Sequence, residues 1–204
     1  MLIGGYQPCS LCDYPGLVTA VIFTQGCNFR CPFCHNGALL PSVVSAEHLL
    51  SVDDVLNRVK QRRGQLEAVV ISGGEPTLHT DLPTFIDDIR TWGFAIKLDT
   101  NGSKPAMLKE LLHVKMVDYI AMDIKAPWEK YDALTDVHSP IEALRESMML
   151  IAHSGLPHEF RTTMVPSLLT PDDINTIRAQ LPAESPYRLQ AFQAEHALDE
   201  KLRK

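Results

Sequence analysis

Cysteine is absent from everything after residue 34, and the five that exist, an odd number, fall between Cys9 and Cys34. Disulfide scaffolds of small secreted domains spread paired cysteines along the chain, so that class is excluded. A basic excess is also missing. Nineteen Lys and Arg stand against 25 Asp and Glu, a net charge of −6. General binding to a phosphate backbone normally needs the opposite balance, so no nucleic-acid partner is expected. No run of about 18 apolar residues occurs, so neither a membrane span nor a membrane partner is expected. Residues 1–8 lack a basic segment followed by a long apolar core. No secretory signal is therefore expected, and the cytoplasm is the expected compartment. Fixed-period repeats and low-complexity tracts are lacking too. What remains is an ordinary folded composition, 45% apolar and 22% charged over 204 residues. That is enough chain for one domain with a substantial core.

Within it, apolar β-branched runs alternate with helical patterns. Strands are predicted at Leu17–Thr24, Ala68–Ser72, Phe94–Leu98, Val117–Ile124, Glu159–Val165 and Tyr187–Phe192. A helix is predicted at Ser45–Arg63, where Leu49, Leu50, Val52, Val55, Leu56 and Val59 recur near helical spacing. Others are predicted at Leu82–Trp92, Lys104–His113 and Pro140–His153, the last stopped by Gly155. Thr170-Pro171-Asp172-Asp173 is a further helix start, with a capping hydroxyl and early acids. Six strands joined through helical connections predict a parallel sheet with helical crossovers. A complete eight-unit barrel takes about 250 residues. The expected fold is therefore α/β, an incomplete TIM-type (β/α)6 barrel with a parallel sheet and outer helices. A flat doubly wound sheet is the architectural alternative. Residues 1–197 read as a single domain and 198–204 as a charged tail.

In such folds sites gather beyond the carboxyl ends of the strands. The polar, glycine-bearing segments fall there: Gly26–Asn36, Ser72–Thr77, Asp99–Gly102 and Asp123–Lys125. The first places Cys27, Cys31 and Cys34 in a C-x3-C-x2-C spacing. Thiolates suit iron–sulfur clusters and zinc. A structural zinc site wants four closed ligands, and His35 could complete a Cys3His set. Three thiolates alone suit a 4Fe-4S cluster with one iron left open to an outside ligand. In Gly73-Gly74-Glu75 the glycines admit close backbone approach, and a carboxylate or carbonyl there can accept from an ammonium group. A tight turn with a solvated Glu is the bland reading. Asp99-Thr100-Asn101-Gly102 has Asx-turn chemistry, and Asp123 with Lys125 can be only an ion pair. Arg161 and Thr163 on the fifth strand and Gln190 on the sixth lie where one face looks into the barrel.

The stretch TQGCNFRCPFCHN, residues 24–36, resembles the signature of the radical S-adenosylmethionine (SAM) superfamily. Gly26 and the Cys34-His35-Asn36 ending resemble the glycyl-radical-enzyme activases. Asp13-Tyr14-Pro15-Gly16, residues 71–77, 97–102, 121–127 and 159–163 extend the likeness from about Gly4 to Phe192. Within that group the chain is similar to the activases of anaerobic (class III) ribonucleoside-triphosphate reductase.

The resemblance implies a 4Fe-4S cluster on Cys27, Cys31 and Cys34, with SAM chelating the open iron. One-electron cleavage then yields methionine and a 5′-deoxyadenosyl radical. Hydrogen abstraction leaves a glycyl radical on a partner protein, here anaerobic ribonucleotide reductase. The chemistry needs no acid–base pair. It does need a low-potential electron donor such as flavodoxin or ferredoxin. Phe33 is implied beside the cluster and the adenine, and Gly73, Gly74 and Glu75 at the methionine amino group. Asp99 and Asp123 are implied around a monovalent cation, as in the similar pyruvate formate-lyase activase, and Lys125 at the SAM carboxylate. Thr100, Asn101 and Arg161 are further SAM contacts on this reading, with Thr163 and Gln190 nearby, and His35 with Asn36 is supporting or partner-facing.

Cys9-x2-Cys12 lies outside the pattern and reads as two reduced or adventitiously oxidised thiols, with zinc shared across a dimer or a redox role as the alternatives. No eight-cysteine ferredoxin-like insert is present. The remaining histidines, His48, His79, His113, His138, His153, His158 and His196, read as surface or core residues. Two rival functions stand beside the activase. One is a radical SAM enzyme with a small-molecule substrate, like the 7-carboxy-7-deazaguanine synthases. The other is a non-catalytic iron–sulfur electron carrier or zinc module, which has no use for the Gly-Gly-Glu and Asp-Thr-Asn-Gly segments.

Overall fold

Alternation along the strands sets the architecture. The computed structural model describes residues 1–203. Six strands lie side by side in sequence order, all parallel. They are β2 (Thr19–Thr24), β3 (Ala68–Gly73), β4 (Ala95–Thr100), β5 (Tyr119–Asp123), β6 (His158–Met164) and β7 (Tyr187–Ala191). The helices between them are α1 (Val52–Gln61), α2 (Leu82–Arg90), α3 (Pro105–His113), α4 (Tyr131–Thr135), α5 (Ile141–Ala152) and α6 (Pro171–Gln180). The sheet does not close, so the fold is a partial barrel of six parallel strands with outer helices, as expected.

One strand is additional. β1 (Ile3–Ser10) pairs antiparallel with β2 and forms one edge, opposite β7. Its sequence, IGGYQPCS, has two glycines, a proline and no apolar alternation, and only its two ends are buried. Pairing, not propensity, makes it a strand. The predicted helix at Ser45–Arg63 begins later. Leu50 makes an extended bridge to Ile3, and Ser51 caps α1 by accepting from the Asp54 N–H. Residues 46–48 form a separate 3-10 turn. On α6 the expected start is present as a full capping box between Thr170 and Asp173.

The two faces of the sheet obey different rules. Ile22, Val69, Ile71, Ile96, Leu98, Ile120, Met122 and Phe160 share the outer core with Val55, Ile86, Leu111, Leu144 and Ile177 of the helices. Each such fully buried aliphatic side chain contributes about 1.5–3 kcal/mol. The alternate residues look into the barrel. Near its floor Val21, Ala68 and Val70 pack on Tyr14, which is brought in by the loop after β1. The Tyr14 and Tyr119 rings lie 5.6 Å apart between centroids. Higher up, the inward face turns polar, with Lys97, Asp99, Asp123, Arg161 and Gln190 at its alternating positions.

Tyr14 is thus the floor of the inner space. Tyr14→Ala is expected to lower stability by about 3 kcal/mol, read as a fall in the denaturation midpoint of the metal-free protein at unchanged slope.

Candidate cofactor site

Backbone contacts between glycines bring the first two strand-end loops together. The Gly74 N–H donates to Thr24 O at 2.9 Å and the Glu75 N–H to Gly26 O at 2.8 Å. A Cβ on Gly74 would lie 2.1 Å from Gly26 O, and one on Gly73, at φ +112°, would lie 2.4 Å from Thr24 N. No side chain can yield there, because the obstacle is backbone. The cysteine loop is also tied to its own exit, by Gly26 N–H to Leu39 O (2.7 Å) and Cys27 N–H to Leu40 O (3.1 Å). The Gln25 side-chain amide donates to Ala38 O and Pro41 O. The Arg30 N–H reaches Thr135 O at the end of α4, and Phe29 meets Tyr131 edge-on.

Glu75 is fully buried, and its carboxylate is committed to the protein. Oε1 accepts from the Thr77 N–H (3.1 Å), the Thr77 hydroxyl (2.5 Å) and the Thr100 hydroxyl (2.7 Å). Oε2 accepts from the Asn101 N–H at 2.6 Å. Burial pushes its pKa up, and these donors oppose that shift. The acid fastens the loop after β3 to the loop after β4. Asn101 in turn donates to the Asn28 side chain at 2.9 Å and approaches Cys27 Sγ at 3.9 Å.

A line of charge crosses β4, β5 and β6. Lys97 Nζ lies 2.5 Å from Asp99 Oδ1, and Arg161 Nη1 lies 3.3 Å from Asp99 Oδ2. Arg161 Nε is 2.8 Å from Asp123 Oδ1, and Lys125 Nζ is 2.9 Å from Asp123 Oδ2. Register explains the reach. Asp123 is paired with Arg161, and Asp99 is opposite the small Ala121. Burial alone would raise the Asp123 carboxyl, but Arg161 and Lys125 hold it well below the usual range. Burial alone would lower Lys125, but Asp123, and after it Cys31, lift it above its ordinary value. The monovalent cation implied by the resemblance finds no support here, since both acids already face protein cations.

Asp99, Asp123, Lys125 and Arg161 line a cavity of about 350 Å³ with Cys27, Cys31, Cys34, Phe33, Gly73 and Gly74. Thr100, Asn101, Thr163 and Gln190 line it too. Every cofactor residue named from the sequence therefore borders one space, Glu75 included. Burial pushes the Cys31 thiol up to about 12 and raises Cys27 as well. The Phe29 N–H points at Cys27 Sγ at 3.4 Å and favours its thiolate. Among the described residues, no three His, Cys, Asp or Glu side chains converge as a single metal ion requires. A cluster instead offers a separate iron to each thiolate, so three soft donors with no fourth fit a 4Fe-4S group. His35 does not complete a zinc set. Its ring stacks on Phe192 and Nε2 accepts from the Gln193 N–H at 3.2 Å. Burial, then His196, pushes its pKa down.

The segment after β7 continues across the cysteine loop. Leu198 lies over Gly37, the Asp199 N–H donates to Pro32 O at 2.8 Å, and Arg203 Nε holds Ala197 O. Leu202 packs on the main core. Lys204, the end of the expected tail, lies outside the described residues. Sequence reading gave no individual site role to Asp13, Ser72, His79 or Lys97. Asp13 borders the cavity, the Ser72 hydroxyl donates to Asp99 Oδ2, and His79 bonds Gln25 O. Cys9 and Cys12 are both exposed and free.

The chain belongs to the radical SAM superfamily, whose family model matches residues 21–179. Membership implies an enzyme with a 4Fe-4S cluster and SAM. A Methanocaldococcus jannaschii relative, provisionally named a glycyl-radical enzyme activating enzyme, is 33% identical over all of this chain and 85% of its own length. A 7-carboxy-7-deazaguanine synthase of Hyperthermus butylicus is 26% identical, over 79% of this chain and 73% of that one. Among solved structures, Streptococcus suis SuiB bound to precursor peptide SuiA has a TM-score of 0.67 at 15% identity. That match covers 90% of this chain but 44% of SuiB, and it is a likeness of fold. No described helix is long and apolar enough to cross a membrane.

The Glu75 clasp yields a direct expectation. Glu75→Gln turns an amide NH2 toward backbone and hydroxyl donors, which costs about 2 kcal/mol. A lowered melting temperature is expected in the metal-free protein. Unchanged melting would mean that the carboxylate does not hold the two loops together.

Proposed function

We propose that this chain is a glycyl-radical-enzyme activase that acts on a protein substrate. What supports the reading most is the activase-named relative that matches the chain end to end. The open sheet supports it further: a substrate residue can arrive from outside, as a projecting segment at its mouth.

On this reading Cys27, Cys31 and Cys34 hold the cluster, and Phe33 packs beside it and excludes water. Backbone at Gly73 and Gly74 receives the methionine amino group, with Glu75 bracing both from behind. Lys125 meets the methionine carboxylate, while Asp99, Thr100, Asn101, Asp123 and Arg161 fix its position. When bound, the cluster and SAM supply one-electron reductive cleavage and the carbon-radical chemistry that removes a hydrogen atom. The chain's own part is positioning and exclusion of water. Residues 1–197 serve as the catalytic domain. Anaerobic ribonucleoside-triphosphate reductase is the proposed partner, with flavodoxin or ferredoxin as the proposed donor.

The test is made without oxygen. Protein reconstituted with iron and sulfide, then reduced, is expected to convert SAM to methionine and 5′-deoxyadenosine, and Cys31→Ala to abolish this. Mixing with an anaerobic reductase is expected to give a glycyl-radical signal by electron paramagnetic resonance. SAM cleavage with no radical on the reductase would reject that partner. No cleavage by a loaded, reduced cluster, even with the reductase present, would reject the activase.

A further inference from the structure

Lys97 sits in mid-strand between Ile96 and Leu98 and is 1% exposed. Taking an ammonium out of water costs several kcal/mol, and a methionine would fill similar space without that cost. Its nitrogen makes one side-chain hydrogen bond, to Asp99, and stands 5.8 Å from the centre of the Tyr119 ring. Lys97 does not border the cavity, whereas Asp99, Arg161, Asp123 and Lys125 all do. It therefore meets no ligand itself and reaches the cavity only through Asp99.

Its place in the line of charge gives it a task. The sequence runs Lys97, Asp99, Arg161, Asp123, Lys125, with signs alternating at every contact. Three cations meet two carboxylates, so the line carries one net positive charge. The Lys97 end is closed by protein, and the Lys125 end opens on the cavity beside the thiols. With Lys97 in place each carboxylate is shared by two cations. Arg161 stays close to Asp123, at 2.8 Å, and looser to Asp99, at 3.3 Å. Without Lys97, Asp99 keeps Arg161 as its one cation, beside the Ser72 hydroxyl, and the line becomes neutral. Arg161 is then drawn toward Asp99, and Asp123 takes a larger share of Lys125. Such charges interact several times more strongly in poorly solvated surroundings than in water, so the change reaches the far end.

We propose that Lys97 is a positioning residue: through Asp99, Arg161 and Asp123 it keeps the Lys125 ammonium available to an anionic group in the cavity, the carboxylate of SAM. This rests on the reading that SAM occupies the cavity.

The test compares wild type with Lys97→Met and Lys97→Gln. The second keeps a donor toward Asp99 without the charge, and it serves if the methionine variant does not fold. Equilibrium dialysis on cluster-loaded protein measures binding of SAM and of decarboxylated SAM, which lacks only the carboxylate. Both variants are expected to lower the preference for SAM over its decarboxylated form about tenfold, within the range for residues coupled in one network. Cluster absorbance and melting temperature are expected to stay near wild type. An unchanged preference overturns the proposal, whether neither affinity moves or both fall together as a structural defect would make them. Wild type that binds no SAM overturns the cavity reading, and with it the proposal.

Discussion

One buried carboxylate holds the working end of this molecule together. The Glu75 N–H binds the carbonyl of Gly26, and its two oxygens receive donors from Thr77, Thr100 and Asn101. The loops that follow β2, β3 and β4 are thereby joined at one residue. A buried acid is tolerable only when its oxygens are saturated with donors, and here four donors meet that condition. The arrangement also demands glycine at 74, because any Cβ would strike the carbonyl that Glu75 uses. The Gly-Gly-Glu segment is then a backbone surface toward the cavity and a side-chain anchor away from it.

The sheet separates two kinds of stability. Its outer face is a conventional apolar core under helices. Its inner face is apolar only at the floor, where Tyr14 closes it, and above that it is built of paired charges. Those charges persist inside because each faces an opposite partner, Lys97 and Lys125 two residues along the chain and Arg161 across the strands. Register decides the pairing of Arg161, and the small Ala121 leaves the space in which it spans two acids.

This division also explains what could be read from residues alone. The cysteine loop, the strand-end motifs and the Thr170 cap are local patterns, and each sits where its spacing indicated. The parallel strands were visible because their apolar runs serve the outer core. β1 was not, since Gly4, Gly5 and Pro8 carry no strand signal and its pairing with β2 supplies what its residues lack. The start of α1 was displaced because Leu50, apolar and helix-compatible, is recruited to extend toward Ile3. Lys97 stood in the sequence only as the first residue of the stretch 97–102, and the Arg161 with which it shares Asp99 is brought there only by the fold. Glu75 shows a subtler limit: its motif pointed to the right loop, while the target of its carboxylate depended on where Thr100 and Asn101 came to rest.

The strap that crosses the cysteine loop ties together segments from opposite ends of the polypeptide. Phe192 on His35, Leu198 over Gly37 and Asp199 on Pro32 are contacts of very long sequence separation. Closing such contacts is slow and late in folding. During synthesis the three thiols leave the ribosome long before the segment that covers them exists. The thiols therefore spend their early life in an uncovered loop, and the order of events in the cell becomes translation first, closure second.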